Sequence, residues 1–140
     1  DDDPQTFAAH LSPLNINKNS VCVIYKPAEP GLPVDIRLHP AGICLNSVNT
    51  AVTVEDDTSN LIITRNWVNR ENEIQINGFL ALNAKEDSLW LNISQPEKLF
   101  MCLFAERLRE NGIRLTGEYG LTPAPPEAVS VFTLSENIQM

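Results

Sequence analysis

The sequence predicts an α+β fold: a small antiparallel β-sandwich nested in an α/β lobe that contains a βαβ unit. Three observations predict it. Residues 20–78 carry short apolar segments that alternate with polar positions and are cut by Pro, Gly and Asn turns, the pattern of sheets with one buried face. Residues 89–118 read as strand, helix, strand. A polar joint, Asn83 to Ser88, lies between the two patterns.

The strand, helix, strand stretch organises the rest. Ser94 is positioned as a helix N-cap, Glu97 follows three residues later as in a capping box, and Pro96 fits the first turn, where its missing N–H costs nothing. Phe100, Phe104 and Leu108 recur at four-residue spacing, which predicts a helix with that face packed on a sheet. Asn111-Gly112 ends it, Gly112 being suited to a left-handed position. Ile113 then opens a strand, and a connection this short predicts a right-handed βαβ crossover.

Residues 1–14 hold Asp1, Asp2, Asp3, Pro4 and Pro13 and read as an irregular, acidic segment of the α/β lobe. A turn at 15–19 leads to a strand on Val21, Val23 and Tyr25, apolar on both faces. Val34, Ile36 and Leu38 alternate with Asp35, Arg37 and His39 as a half-buried strand. Ile43-Cys44-Leu45 and Val52 with Val54 read as short strands, and residues 55–60 as a polar hairpin loop. Residues 61–65 and 73–78 are two more strands about a turn at 69–72. Pro123, Pro125 and Pro126 stiffen the exit, and Val129, Val131 and Phe132 read as a last strand.

Bulk properties narrow the function. The 140 residues suffice for one good core or two small lobes. The net charge of −8 excludes a general nucleic-acid surface, which needs clustered Lys and Arg. No apolar run is long enough to span a membrane. The chain opens on three aspartates and closes within a helix-start pattern, as expected of a piece of a longer protein. Cys22, Cys44 and Cys102 show no CxxC spacing. Each lies in an apolar segment and reads as a buried thiol; an oxidising compartment would permit a Cys22–Cys44 bridge, which the residues leave open.

Chemistry-bearing motifs are sparse. Ser135-Glu136-Asn137 matches Ser-x-Asn of penicillin-interacting serine enzymes, and a helix cap explains it equally well. Leu115-Thr116-Gly117 lacks the lysine of Lys-Thr-Gly, and no Ser-x-x-Lys occurs, Ser94 and Lys98 being four apart. With no nucleophile–base pair, an autonomous enzyme is the weakest reading. No phosphate loop and no cluster of metal ligands appears, so neither cofactor nor metal is expected. Trp67, beside a turn, is open to a binding role, whereas Trp90 reads as core.

Taken in order, the pieces resemble a known family. Ser12-Pro13-Leu14-Asn15-Ile16-Asn17-Lys18-Asn19 precedes a valine-rich strand. Tyr25-Lys26-Pro27 and Gly31 lead to an alternating strand that ends at Pro40. Asn46 to Thr50 gives Asn-x-x-x-Thr. Arg65 and the run Ile74 to Gly78 follow, then Asn111-Gly112-Ile113 and Gly117. This succession resembles the D-alanyl-D-alanine carboxypeptidase/endopeptidases of the class C low-molecular-mass penicillin-binding proteins. The resemblance implies an accessory, non-catalytic region, with a nested all-β domain at 20–82 and an outer α/β domain at 1–19 and 83–140. It places the catalytic serine and its base outside this stretch and gives Ser135 no catalytic role. It implies a periplasmic or extracytoplasmic parent that meets the peptidoglycan stem peptide through its catalytic domain. By the family's spacing of an acidic residue and an aromatic five positions later, it points to Asp2 and Phe7 as substrate-binding residues. The other reading is an independent β-sandwich module that binds glycan or protein.

Overall fold

The computed structural model describes residues 12–123 and 125–129. Among these, seven strands and one α-helix follow a short turn at Asn17–Asn19: β1 (Ser20–Lys26), β2 (Asp35–His39), β3 (Ser47–Asn49), β4 (Val52–Val54), β5 (Asn60–Arg65), β6 (Ile74–Ala81), β7 (Asp87–Asn92) and α1 (Pro96–Glu110). The class is α+β, as the sequence predicts.

The first sheet has the order β2-β1-β7 and is antiparallel throughout. Its register sets Val23 opposite Leu38 and Leu89, and Val21 opposite Leu91. Paired residues share a face, so these side chains form one apolar layer. The second sheet is mixed rather than antiparallel. β6 is its middle strand, β5 pairs with it antiparallel, and β3 and β4 run parallel along its other edge. β4 and β5 therefore flank β6, and residues 55–59 connect opposite edges instead of closing a hairpin; the hairpin is β5–β6.

β3 and β4 are one edge strand broken at Thr50 and Ala51. The Asn49 amide causes the break: its Nδ2 donates to the Val34 carbonyl at 2.7 Å, while its Oδ1 accepts from the Ala51 N–H at 3.1 Å. Val34 N–H in turn donates to the Ala51 carbonyl at 3.0 Å. These bonds tie the lead-in to β2 to the second sheet and bury Ala51 fully. Opposite Leu61, Gly78 has φ +99°, and a Cβ there would overlap the Asn60 carbonyl oxygen, so the β5–β6 pairing needs glycine at this position.

Both sheets contribute to one core: Val21, Val23 and Leu91 from the first, Ile74, Ile76 and Leu80 from the second. Ile93 and Leu99 extend it toward α1. The polar joint at 83–88 runs into β7, and Leu91 and Leu99 beyond it belong to the same core, so the joint is a connection over a shared core.

α1 differs from expectation in two ways. Gln95, at φ 54°, is the N-cap and makes no side-chain cap bond. Ser94 is occupied elsewhere: its N–H donates to Asn72 Oδ1 at 2.8 Å and its carbonyl accepts from Asn72 Nδ2 at 2.6 Å. This clasp stops Ser94 from serving as a cap and delays the helix by one residue. The buried face is also rotated. Pro96, Leu99 and Ala105 are buried, whereas Phe104 is 51% exposed. The cause is a disulfide between Cys44 and Cys102, which turns the Leu99, Cys102 and Leu103 side of the helix inward. Cys22 is the buried free thiol, so the bridge is neither the Cys22–Cys44 pair nor absent. It also turns residues 43–44, expected as strand, into a loop.

The helix ends as expected. Gly112 has φ +76°, its N–H donates to the Arg109 carbonyl at 3.0 Å, and the Ile113 N–H donates to the Leu108 carbonyl at 2.9 Å. Those are the two bonds of a Schellman motif. The expected strand does not follow: among the described residues, 113–117 pair with no strand, so the βαβ unit is not closed. Val131 and Phe132 lie outside the described residues.

Candidate functional site

Asp2 and Phe7 lie outside the described residues, as does Ser135-Glu136-Asn137. The ground beside the segment that follows them is described. Asn17, Lys18 and Asn19 have φ values of 49°, 56° and 55°. Three successive left-handed residues without glycine are costly, and asparagine is among the few side chains that tolerate the conformation. The turn is held from several sides. Asn19 N–H donates to the Ile16 carbonyl at 2.8 Å, the Ile16 N–H donates to Asn19 Oδ1 at 3.4 Å, and the Ile93 N–H donates to the Asn19 carbonyl at 2.9 Å. The last bond fixes the incoming chain to the joint between β7 and α1.

Next to this turn, a groove of about 250 Å³ runs between Ile16, Pro40 and Ala41 on one side and α1 on the other. Phe100, Leu103 and Phe104 form its apolar wall, and Glu106, Arg107 and Glu110 its charged rim. The rings of Phe100 and Phe104 stack with centroids 6.2 Å apart. Glu106 closes the loop onto the helix: its Oε1 accepts from the Ile43 N–H at 3.3 Å, and a Cβ on Gly42 would overlap its carboxylate. Arg107 Nη1 donates to Glu110 Oε2 at 2.7 Å, an exposed pair worth little in stability. The groove can take up apolar or aromatic groups, with carboxylates at its rim. Among the described residues that line it, none form a nucleophile–base pair.

The serines and threonines weighed in the sequence are placed plainly. Ser94 is buried beneath Asn72, and Lys98 is exposed one turn along the helix. Thr116 lies in the unpaired segment after α1. Trp67 is 44% exposed and Trp90 46% exposed. Trp90 is therefore not core: its partner in the register is Cys22, on the side of β1 opposite the buried Val21 and Val23.

One polar centre is larger than the sequence suggests. Arg65, fully buried at the end of β5, donates from Nη2 and Nε to Asn92 Oδ1 at 2.9 and 3.3 Å, and from Nη1 to the Glu71 carbonyl at 3.3 Å. Asn92 closes β7, so this contact locks the second sheet to the first. A charged residue at an inward strand position was the signal for it. At the far end of the first sheet, Tyr25 Oη donates to Asp87 Oδ2 at 3.4 Å, and burial, with the Asp87 charge beside it, raises the phenol above its ordinary range.

Comparison with known proteins gives this arrangement a family. A D-alanyl-D-alanine carboxypeptidase of Actinomadura sp. (strain R39) is 27% identical over 133 residues, which cover 91% of this chain. The chain spans 24% of that relative's length. Penicillin binding protein 4 of Haemophilus influenzae, solved with a β-lactam, has a similar fold, with a TM-score of 0.63 over 86% of this chain and 28% of its own, at 19% identity. Another structure of that protein matches with a TM-score of 0.57 over 83% of this chain and 26% of its own, at 20% identity. The profile of one family matches residues 1–136, nearly all of the sequence, and on that ground the chain belongs to the D-Ala-D-Ala carboxypeptidase 3 (S13) family.

Proposed function

We propose that this chain is the accessory region of a serine D-Ala-D-Ala carboxypeptidase/endopeptidase that acts on peptidoglycan stem peptides, and that it helps shape the substrate cleft. One observation carries the reading. The family match runs over residues 1–136, and these residues contain neither Ser-x-x-Lys nor Lys-Thr-Gly. In the chemistry proposed, a serine outside this stretch attacks the D-Ala–D-Ala carbonyl, the peptide bond breaks and the terminal D-Ala leaves, and water then hydrolyses the acyl-enzyme. Residues 20–82 are the nested unit of the accessory region; residues 1–19 and 83–140 are the outer one. Asp2 and Phe7 contribute to the cleft. A carboxylate suits the ammonium of an amine-bearing stem residue, and an aromatic ring packs on its methylenes. The Cys44–Cys102 disulfide supports a periplasmic or other extracytoplasmic location, since such bonds persist in oxidising compartments. Among the described residues, no helix is long and apolar enough to cross a membrane.

An independent binding module draws some support from the exposed Trp67 and Trp90, but the family match does not favour it. The test is to label the full-length protein with a tagged β-lactam and map the adduct by proteolysis and mass spectrometry. The adduct is expected on a serine outside residues 1–140. An adduct within them, or none at all, refutes the accessory reading.

A further inference from the structure

We infer that Glu106 is an electrostatic guard of the Cys44–Cys102 disulfide, placed so that its carboxylate slows attack on the bond by thiolates. The inference does not rest on the accessory-region reading. Position, charge and reaction chemistry carry it.

The carboxylate is built into its place. Glu106 Oε2 lies 3.8 Å from Cys44 Sγ, and Oε1 accepts from the Ile43 N–H at 3.3 Å. Gly42 makes the approach possible, since a Cβ there would overlap the carboxylate. Glu106 follows Cys102 by four residues in α1, so the two stand on one side of the helix, a turn apart. Cys44, Cys102 and Glu106 are all half-buried. The bond is therefore within reach of small reagents, and water screens the charge beside it only in part. Arg107 is paired with Glu110, and among the described residues Glu106 forms no ion pair that would cancel its charge. Lys98, the cation four residues before Cys102, is exposed to solvent, where its charge is screened.

A carboxylate in that position acts on one step. In thiol–disulfide exchange an incoming thiolate forms a new S–S bond, the Cys44–Cys102 bond breaks, and its electron pair leaves on the departing sulfur. A second thiolate then attacks the mixed disulfide, which releases the protein as a dithiol and the reagent as its own disulfide. The first step carries one negative charge, spread over the attacking, central and departing sulfurs. Cys44 is the central sulfur on one route and the departing sulfur on the other. Either route therefore brings that charge against Glu106. Like charges at such a separation repel strongly enough to slow the step several-fold, even in largely aqueous surroundings.

The guarded bond matters to its surroundings. It ties the loop at 40–44 to α1 and so fixes Pro40 and Ala41 as one wall of the groove beside Ile16. Cys22 is a free thiol in the same chain, so a misplaced bridge is one exchange away whenever the fold opens locally.

The experiment uses the full-length protein and compares it with Glu106→Gln, which keeps an oxygen for the Ile43 N–H and removes the charge. Glu29→Gln, at an exposed position before β2, sets the effect of net charge alone. Reduction of the bond is followed by alkylation of Cys44 and Cys102 and the masses of their peptides. With 2-mercaptoethanol, E106Q should be reduced ~3–10-fold faster than either the unmodified protein or E29Q. With tris(hydroxypropyl)phosphine, an uncharged reductant, all three should agree within ~2-fold, because no charged reagent approaches the carboxylate. Equal acceleration of E106Q by both reagents would mean that the substitution loosens the loop, and overturns the inference. No acceleration by the thiol, or the same acceleration in E29Q, also overturns it. The unmodified protein gives a second readout that needs no variant. Raising the salt from about 0.01 M to about 1 M shortens the screening length from ~30 to ~3 Å. Reduction by the thiol should then quicken at least ~2-fold while reduction by the phosphine stays level; a thiol rate indifferent to salt overturns the inference as well.

Discussion

Arg65 is the residue on which the two sheets depend most. Its guanidinium is fully buried and is held by Asn92 and the Glu71 carbonyl. A buried charge is tolerated only where hydrogen bonds replace its water, and losing a partner costs more than the bond itself. That makes Arg65 part of the scaffold and leaves recognition to other residues. Asp2 is the residue we propose for recognition. In the full-length protein, Asp2→Ala should lower kcat/KM for stem-like substrates with a free amine by ~10–100-fold, equivalent to ~1.4–2.8 kcal/mol. Acylation by a simple β-lactam should stay nearly unchanged. Equal loss in both reactions would assign Asp2 to the fold instead.

At the scale of elements, the disulfide decides more than any strand. It joins residues 58 apart in sequence and fixes both the loop at 43–44 and the rotation of α1. Closing a loop of that length restricts the unfolded chain by up to ~4 kcal/mol in the chain-entropy model. Cys102→Ser should lower the stability measured by urea unfolding by about 2–4 kcal/mol. A loss below ~1 kcal/mol would mean that Glu106 and the apolar contacts hold the loop alone. The same bond explains what could be read from the sequence. The end of α1 was legible, because Gly112 acts through the local backbone, whereas its cap was not, because Asn72 holds Ser94 from a distant loop. The buried face was not, because Phe100, Phe104 and Leu108 fit the helical period as well as the side that Cys102 turns inward. β2 and β6 were legible from alternation, and β1 and β5 from short apolar runs bounded by turns. The broken β3/β4 edge was not, since it depends on the Asn49 amide reaching Val34 across the fold. For the site, Asp2 and Phe7 rest on resemblance alone, and Arg65 in its strand gave no hint that Asn92 would receive it.

For the molecule as a whole, the pairing of β1 with β7 is decisive. It sets residues on either side of the proposed boundary between the nested and outer units in a single sheet over a single core. Two proposed units joined in this way should melt together. Trp67 lies beside the β5–β6 hairpin and Trp90 in β7, so single-tryptophan variants of residues 1–140 (Trp67→Phe and Trp90→Phe) report on the two sides separately. Their thermal midpoints should coincide, as two-state unfolding requires; midpoints more than about 5 °C apart, beyond the shift a ~1 kcal/mol substitution produces, would make the units independent. The central place of β1 also has a consequence for synthesis. β1 and β2 leave the ribosome long before β7, so the growing chain carries an apolar hairpin with one open edge until the last strand arrives. Such an edge can recruit other chains. A protein halted before residue 87 would therefore be a hazard to its neighbours, and a chaperone that shields β1 until β7 emerges would protect the yield of the whole protein.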